Sequence, residues 1–146
     1  MITLRPADEK DMERIEELAY SAPGVDHSPL GSLLDRPRLL ESVQTMIGKR
    51  LVIAAEVDGV MAGGAVGLLC PSDFTKDTLF HVGLIYLAPE YREYSRAFLK
   101  QIEWLVKDKA TRITLSVPYG WEHEKRQRFY QMLGYRPLET YMVKAL

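Results

Sequence analysis

Arg92-Glu93-Tyr94-Ser95-Arg96-Ala97 gathers two guanidinium groups, a hydroxyl and a small side chain into a short run. The run lies between an apolar stretch, Val82-Gly83-Leu84-Ile85-Tyr86-Leu87, and a helical pattern from Phe98 to Lys109. Ala88-Pro89-Glu90-Tyr91 separates it from the apolar stretch. Strand, short turn and helix in that order place free backbone N–H groups at the helix start, which carries about half a positive charge. Such an end binds phosphate. Arg92 and Arg96 supply charge-assisted donors there, and Ser95 a hydroxyl. Glu93 opposes them unless it faces solvent. The competing reading is a helix start whose charges are simply solvated.

The elements around this run set its geometry. If Arg112–Val117 is the next parallel strand, the unit is a right-handed βαβ crossover. The crossover helix turns Tyr94, Phe98, Ile102, Leu105 and Val106 to one side, as packing on a sheet requires. Upstream, Ile2–Arg5 alternates as a short strand, and Asp8 with Asp11 forms a capping box for a helix over Glu9–Tyr20. Ser21–Pro37 is rich in turn residues. A second helix follows over Arg38–Ile47, with Pro37 just ahead of it or in its first turn and Gly48 ending it. Leu51–Val57 and Val60 to about Leu69 flank Asp58-Gly59, a strong hairpin signal. Gly63, Gly64 and Gly67 in the return strand imply a bulge or a close backbone approach. A loop leads to the strand Thr78–Leu87. His123–Leu133 reads as the last helix, with Phe129, Met132 and Leu133 apolar and Gly134 after it; Tyr135–Lys144 supplies one or two closing strands.

The chain has 146 residues, 47% hydrophobic and 27% charged, which suits a single domain over 1–146. A formal net charge of -1 gives no case for a nucleic-acid partner or a membrane surface. No apolar run approaches the ~20 residues that span a bilayer, and the start lacks a secretory layout. One cysteine, Cys70, forms no internal disulfide, which fits a cytoplasmic setting. Cys70 also lacks the neighbours of a thiol nucleophile, and no His/Cys cluster has metal-ligand spacing, so no metal is expected.

Two motifs and the element order carry a resemblance. Arg92 to Ala97, led in by Leu87-Ala88-Pro89-Glu90-Tyr91, resembles the coenzyme-A-binding motif of the GCN5-related N-acetyltransferase superfamily: Gln or Arg, two free positions, Gly, one free position, then Gly or Ala. Ser95 stands where that motif has Gly, and Glu93 where Gly is common. Phe129-Tyr130-Gln131-Met132-Leu133-Gly134-Tyr135 is similar to a segment found at the superfamily's last helix. The resemblance implies an α/β (α+β) fold with a mixed central sheet of roughly six to seven strands, about four flanking helices and a parallel pair splayed at the cofactor site.

It also implies an activity: acetyl-CoA-dependent transfer to an amine of a small molecule or peptide, directly in a ternary complex. The backbone from Glu93 to Ala97, with Arg92 and Arg96, would hold the pyrophosphate. The Leu87 N–H would meet the thioester oxyanion. Tyr130 would protonate the leaving thiolate, since a phenol near about 10 and a thiol near about 8.5 are not far mismatched; the alternative is that it only hydrogen-bonds the cofactor sulfur. Its place beside the Phe129/Leu133 stripe suits a cleft edge. His81 falls near the superfamily's usual general base, with a suitable ordinary pKa of about 6.5. Glu56, Glu122 and His27 are further candidates for the base. His123 stands near a cofactor-contacting position, or caps the helix. Lys125-Arg126-Gln127-Arg128 reads as a solvated helix face, or as a contact to a ribose phosphate. Homodimers are common in such folds. The rival readings are a CoA-binding or protein-interaction module with little or no catalysis, and a nucleic-acid-binding module.

Overall fold

Asp58 and Gly59 both take positive φ, 51° and 79°, as a two-residue hairpin turn requires. The turn joins β2 (Val52–Val57) to β3 (Val60–Pro71). β1 (Ile2–Pro6) pairs antiparallel with β2, and β4 (Thr78–Leu87) pairs antiparallel with β3. β5 (Arg112–Leu115) pairs parallel with β4, and the sheet runs in the order β1-β2-β3-β4-β5. The computed structural model describes residues 1–22, 35–117, 122–144 and 146. Most of the expected irregular segment, His27 included, lies outside them. No described helix is long and apolar enough to cross a membrane.

The chain divides into two compact units, and this sheet belongs to the first, Met1–Ala22 with Asp35–Ser116. Asp8 and Asp11 form the expected capping box, over a 3-10 turn Glu9–Asp11 that leads into α1 (Met12–Ser21). α2 (Arg36–Gly48) is capped by Asp35, whose carboxylate accepts from the Arg38 N–H at 3.0 Å, and Pro37 sits in its first turn. Alternation along the strands builds two cores. Ile2, Ala55, Val57, Ala62, Ala65, Phe80, Val82 and Leu87 pack with Phe98 and Ile102 of α3 (Ser95–Val106). On the other face Val52, Ala54 and Met61 meet Leu18 of α1 and Val43 and Ile47 of α2.

The crossover helix begins a turn earlier than its apolar pattern suggests. Pro89–Tyr94 already winds as a 3-10 segment, because Pro89 presets the first turn and no glycine interrupts the run that follows. Its buried side is Phe98, Leu99 and Ile102, while Leu105 is exposed and Trp104 is 65% exposed. The Lys107 ammonium lies 4.9 Å from the Trp104 ring centroid, which gives the outer aromatic a cation partner.

The second unit contains Val117 and the described residues after it. Its helix is α4 (His123–Met132), followed by Gly134 at φ 94°. Tyr130 is the buried residue of α4, while Met132, expected on the apolar side, is 78% exposed. The sheet therefore has five strands among the described residues, not six to seven. Tyr135–Lys144 forms no strand there. Pro137 removes a ladder donor, and Leu138, Tyr141, Met142 and Val143 remain exposed, so no buried face fixes a register.

Candidate active site

The end of β4 is shaped by one extra residue. Leu84 pairs with Val66 and Val82 with Gly67, so Gly83 is the unpaired residue of a bulge. A bulge bends its strand and increases its twist. The parallel ladder with β5 runs from Leu79–Arg112 to Val82–Leu115 and stops at that point. From Gly83 to Leu87 no described strand borders β4 on the β5 side. Ala88 donates its N–H to the Ala62 carbonyl at 2.9 Å, on the β3 side. Successive strand residues aim their N–H groups in opposite directions, so the Leu87 N–H points into the opening. Ile85, two residues earlier and also opposite a β3 residue, Ala65, has the same aim. The sequence reading missed Ile85; the period of two counted back from Leu87 would have found it.

Gly63 makes this geometry tight. A Cβ there would overlap the Tyr86 carbonyl oxygen and lie 2.8 Å from the Leu87 Cα. At Gly64 it would come within 2.6 Å of the Ile53 carbonyl oxygen. The close backbone approach expected from these glycines is present.

The run after β4 is wound rather than open. Arg92 and Glu93 lie in the 3-10 segment, Tyr94 is the N-cap of α3 without a side-chain cap bond, and Ser95 is its first residue. Arg92, Glu93, Arg96 and Ala97 are exposed, while Tyr94 and Ser95 are half-buried. Ser95 turns both its donors inward: its N–H and its hydroxyl, the latter at 2.7 Å, go to the Arg92 carbonyl.

His81 projects from the opposite face to Phe80 and Val82, and its Nδ1 lies 2.9 Å from Thr114 Oγ1. Glu56, a candidate base in sequence, is engaged: Arg5 donates to it from Nε at 2.9 Å and from Nη2 at 2.7 Å. The same guanidinium grips Asp11 through two bonds of 2.8 Å, which holds the Asp11 carboxyl below the usual carboxylate range and raises Arg5 further. Glu122 accepts from Lys125 at 3.1 Å.

In the second unit, His123 is the first residue of α4 and is half-buried; the N-cap is Glu122, so the capping alternative for His123 is set aside. Lys125 and Arg128 are exposed, in keeping with a solvated face. Tyr130 is only 8% exposed, not at an open edge, with the Phe129 and Tyr135 rings 5.6 and 5.9 Å away. The structure thus brings Leu87, the 92–97 run and His81 into the first unit and His123 and Tyr130 into the second. A surface hollow of about 620 Å³ along Asp35, Pro37, Arg38, Glu41, Ser42 and Thr45 is lined by none of them.

No family model matches the sequence, and no curated protein is significantly similar to it. Solved structures do match in fold. A possible acetyltransferase from Clostridium difficile 630 superposes with a TM-score of 0.75 at 17% identity, over 100% of this chain and 97% of its own. The ribosomal-protein-alanine N-acetyltransferase from Brucella melitensis biovar Abortus 2308 gives 0.74 at 15% identity, over 99% and 100%. A predicted acetyltransferase from Clostridium acetobutylicum, solved with acetyl-CoA, gives 0.69 at 15% identity, over 99% and 96%. Among the described residues, the mixed sheet with its parallel β4–β5 pair and the four α-helices match the fold of these acetyltransferase structures. At such identities the likeness speaks for fold, and function rests on the site.

Proposed function

We propose that the protein is an acetyl-CoA-dependent N-acyltransferase that moves an acetyl group directly to an amine of a small-molecule or peptide acceptor. The observation that carries this reading is the opening beside β4. There the Leu87 N–H has no described strand beside it and points toward the space where β5 has ended. A fixed backbone donor in such a place stabilises the oxyanion that forms when an amine attacks a thioester. When bound, acetyl-CoA supplies the activated acyl group and a thiolate leaving group. The backbone of residues 93–97 with Arg92 and Arg96 holds the pyrophosphate, and His123 contacts the cofactor. His81 would take one proton from the acceptor ammonium and the freed amine would form the new C–N bond; the C–S bond would then break as Tyr130 gives its proton to the departing sulfur, the second nitrogen proton would return to the Tyr130 oxygen, and His81 would release its proton to water. The Brucella neighbour is named for a protein alanine, which favours an amine acceptor.

Ser95 supports a second reading. Both its donors are spent on Arg92, and Glu93 adds negative charge beside the proposed phosphate site. A chain with that turn could bind CoA weakly and act as an interaction module. Thermal unfolding with and without acetyl-CoA separates the two. Ligand at about 100 times its Kd stabilises by about 2.7 kcal/mol, which moves the midpoint by roughly 5 °C or more. No shift at millimolar acetyl-CoA selects the second reading. Given a shift, Tyr130→Phe lowers kcat in an amine screen more than it lowers acetyl-CoA affinity; equal losses would make the hydroxyl a binding group.

A further inference from the structure

We propose that Thr114 is the positioning residue for His81. Its hydroxyl oxygen accepts the Nδ1 hydrogen and so presents Nε2 as the basic nitrogen. This rests on the reading of His81 as the base. The two residues are direct partners in the parallel ladder, one rung before it ends at Val82–Leu115, and Nδ1 and Oγ1 are 2.9 Å apart. Phe80 and Val82 pack into the α3-side core, as do Ile113 and Leu115, so His81 and Thr114 project together from the other face. The cross-strand partner of His81 on β3 is Leu68, which offers no hydrogen bond. Arg112, which shares that face on β5, is ion-paired to Asp77 at 3.4 Å.

The direction of the Thr114 bond follows from what a base must do. A neutral imidazole has one donor and one acceptor nitrogen, and a hydroxyl can meet either. Once the ring has taken a proton, both nitrogens donate, so Oγ1 must then accept. Only the arrangement in which Oγ1 already accepts from Nδ1–H survives proton uptake without rotation of the hydroxyl. An acceptor ammonium gives one proton to the Nε2 lone pair, leaving a neutral amine and an imidazolium, and the Nδ1 bond is unchanged. Sequence spacing does not reveal this pair, because the partners stand 33 residues apart.

Imidazole ¹⁵N spectra of the full chain at alkaline pH test the assignment, with the His81 signals identified by their loss in His81→Gln. The expected result is the Nδ1–H tautomer in the protein and in Thr114→Ser, and a return toward the Nε2–H form in Thr114→Val. In parallel, acetyl transfer from acetyl-CoA to a panel of primary amines should fall about tenfold in kcat in Thr114→Val and recover in Thr114→Ser, with KM for acetyl-CoA unchanged. An Nε2–H ring in the unsubstituted protein overturns the inference and leaves the functional reading standing. So does a Thr114→Val variant that transfers acetyl at the full rate. Absence of transfer to every amine, with or without a melting shift, overturns the functional reading and the inference with it. Should Thr114→Val fail to fold, the tautomer of the unsubstituted protein and of Thr114→Ser decides alone.

Discussion

Replacing Gly63 with alanine tests whether the packing of β3 sets the aim of Leu87. Gly63 faces Leu87 in a pair that exchanges no hydrogen bonds, the close kind with Cα atoms about 4.5 Å apart. The added methyl would overlap the Tyr86 carbonyl oxygen, and would sit 2.8 Å from the Leu87 Cα and 2.9 Å from its Cδ2. Two of these are backbone atoms, so β4 itself must move. Overpacking of this kind costs about 1–3 kcal/mol. For a chain of this length the melting midpoint should fall by roughly 2–10 °C. The same displacement carries the Leu87 N–H off its line. Full loss of one oxyanion donor costs about 10²–10³ in kcat, so a partial shift should cost at least about tenfold, with acetyl-CoA affinity nearly unchanged. Gly48→Ala is the control: Gly48 ends α2, nothing lies within 4 Å of its added Cβ, and the change should stabilise by about 0.5–1 kcal/mol. Denaturant unfolding and an acetyl-transfer assay read both quantities. A Gly63→Ala protein within about 0.5 kcal/mol of the parent refutes the packing argument. One that is destabilised yet keeps its kcat refutes the link to Leu87.

Acid titration should expose the Arg5–Asp11 pair: the folded carboxyl titrates below its unfolded value, so its contribution is complete above about pH 4 and is lost as pH falls through the depressed folded value. In Asp11→Asn that part of the stability slope should vanish, and an unchanged acid limb would deny the pair its role. Tyr86 carries a buried hydroxyl with no hydrogen-bond partner among the described residues, a defect worth about 1–3 kcal/mol, so Tyr86→Phe should raise the denaturation midpoint; a fall would mean the hydroxyl is bonded in solution. Ser95→Gly removes the hydroxyl held on Arg92 and loosens the first turn of α3. Calorimetric titration should find tighter acetyl-CoA binding at a cost of about 0.5–1 kcal/mol in stability, and weaker binding would show that the serine hydroxyl serves the phosphate.

What was legible in the sequence is what short-range physics dictates. Asp58-Gly59 has to turn, Asp8 and Asp11 have to cap, and the alternation Ile113, Leu115 has to bury one face; each is present where its residues place it. The pieces that failed depend on partners far along the chain. Glu56 is a plausible base until Arg5, 51 residues away, takes its carboxylate. Leu105 continues the helical stripe of α3, yet it is 41% exposed, and Leu99 is buried beside Phe98 and Ile102 in its place. Tyr135–Lys144, interrupted by Pro137, carries enough apolar residues to suggest one or two strands, but a strand exists only where a neighbour accepts its ladder. Gly83 is the instructive case. In sequence it is one more small residue in an apolar run, and nothing local marks it as a bulge. Register alone reveals that it is skipped between Val82 and Leu84, and β4 and β5 part at that residue. The chemistry proposed for Leu87 therefore depends on a residue with no side chain, four positions upstream.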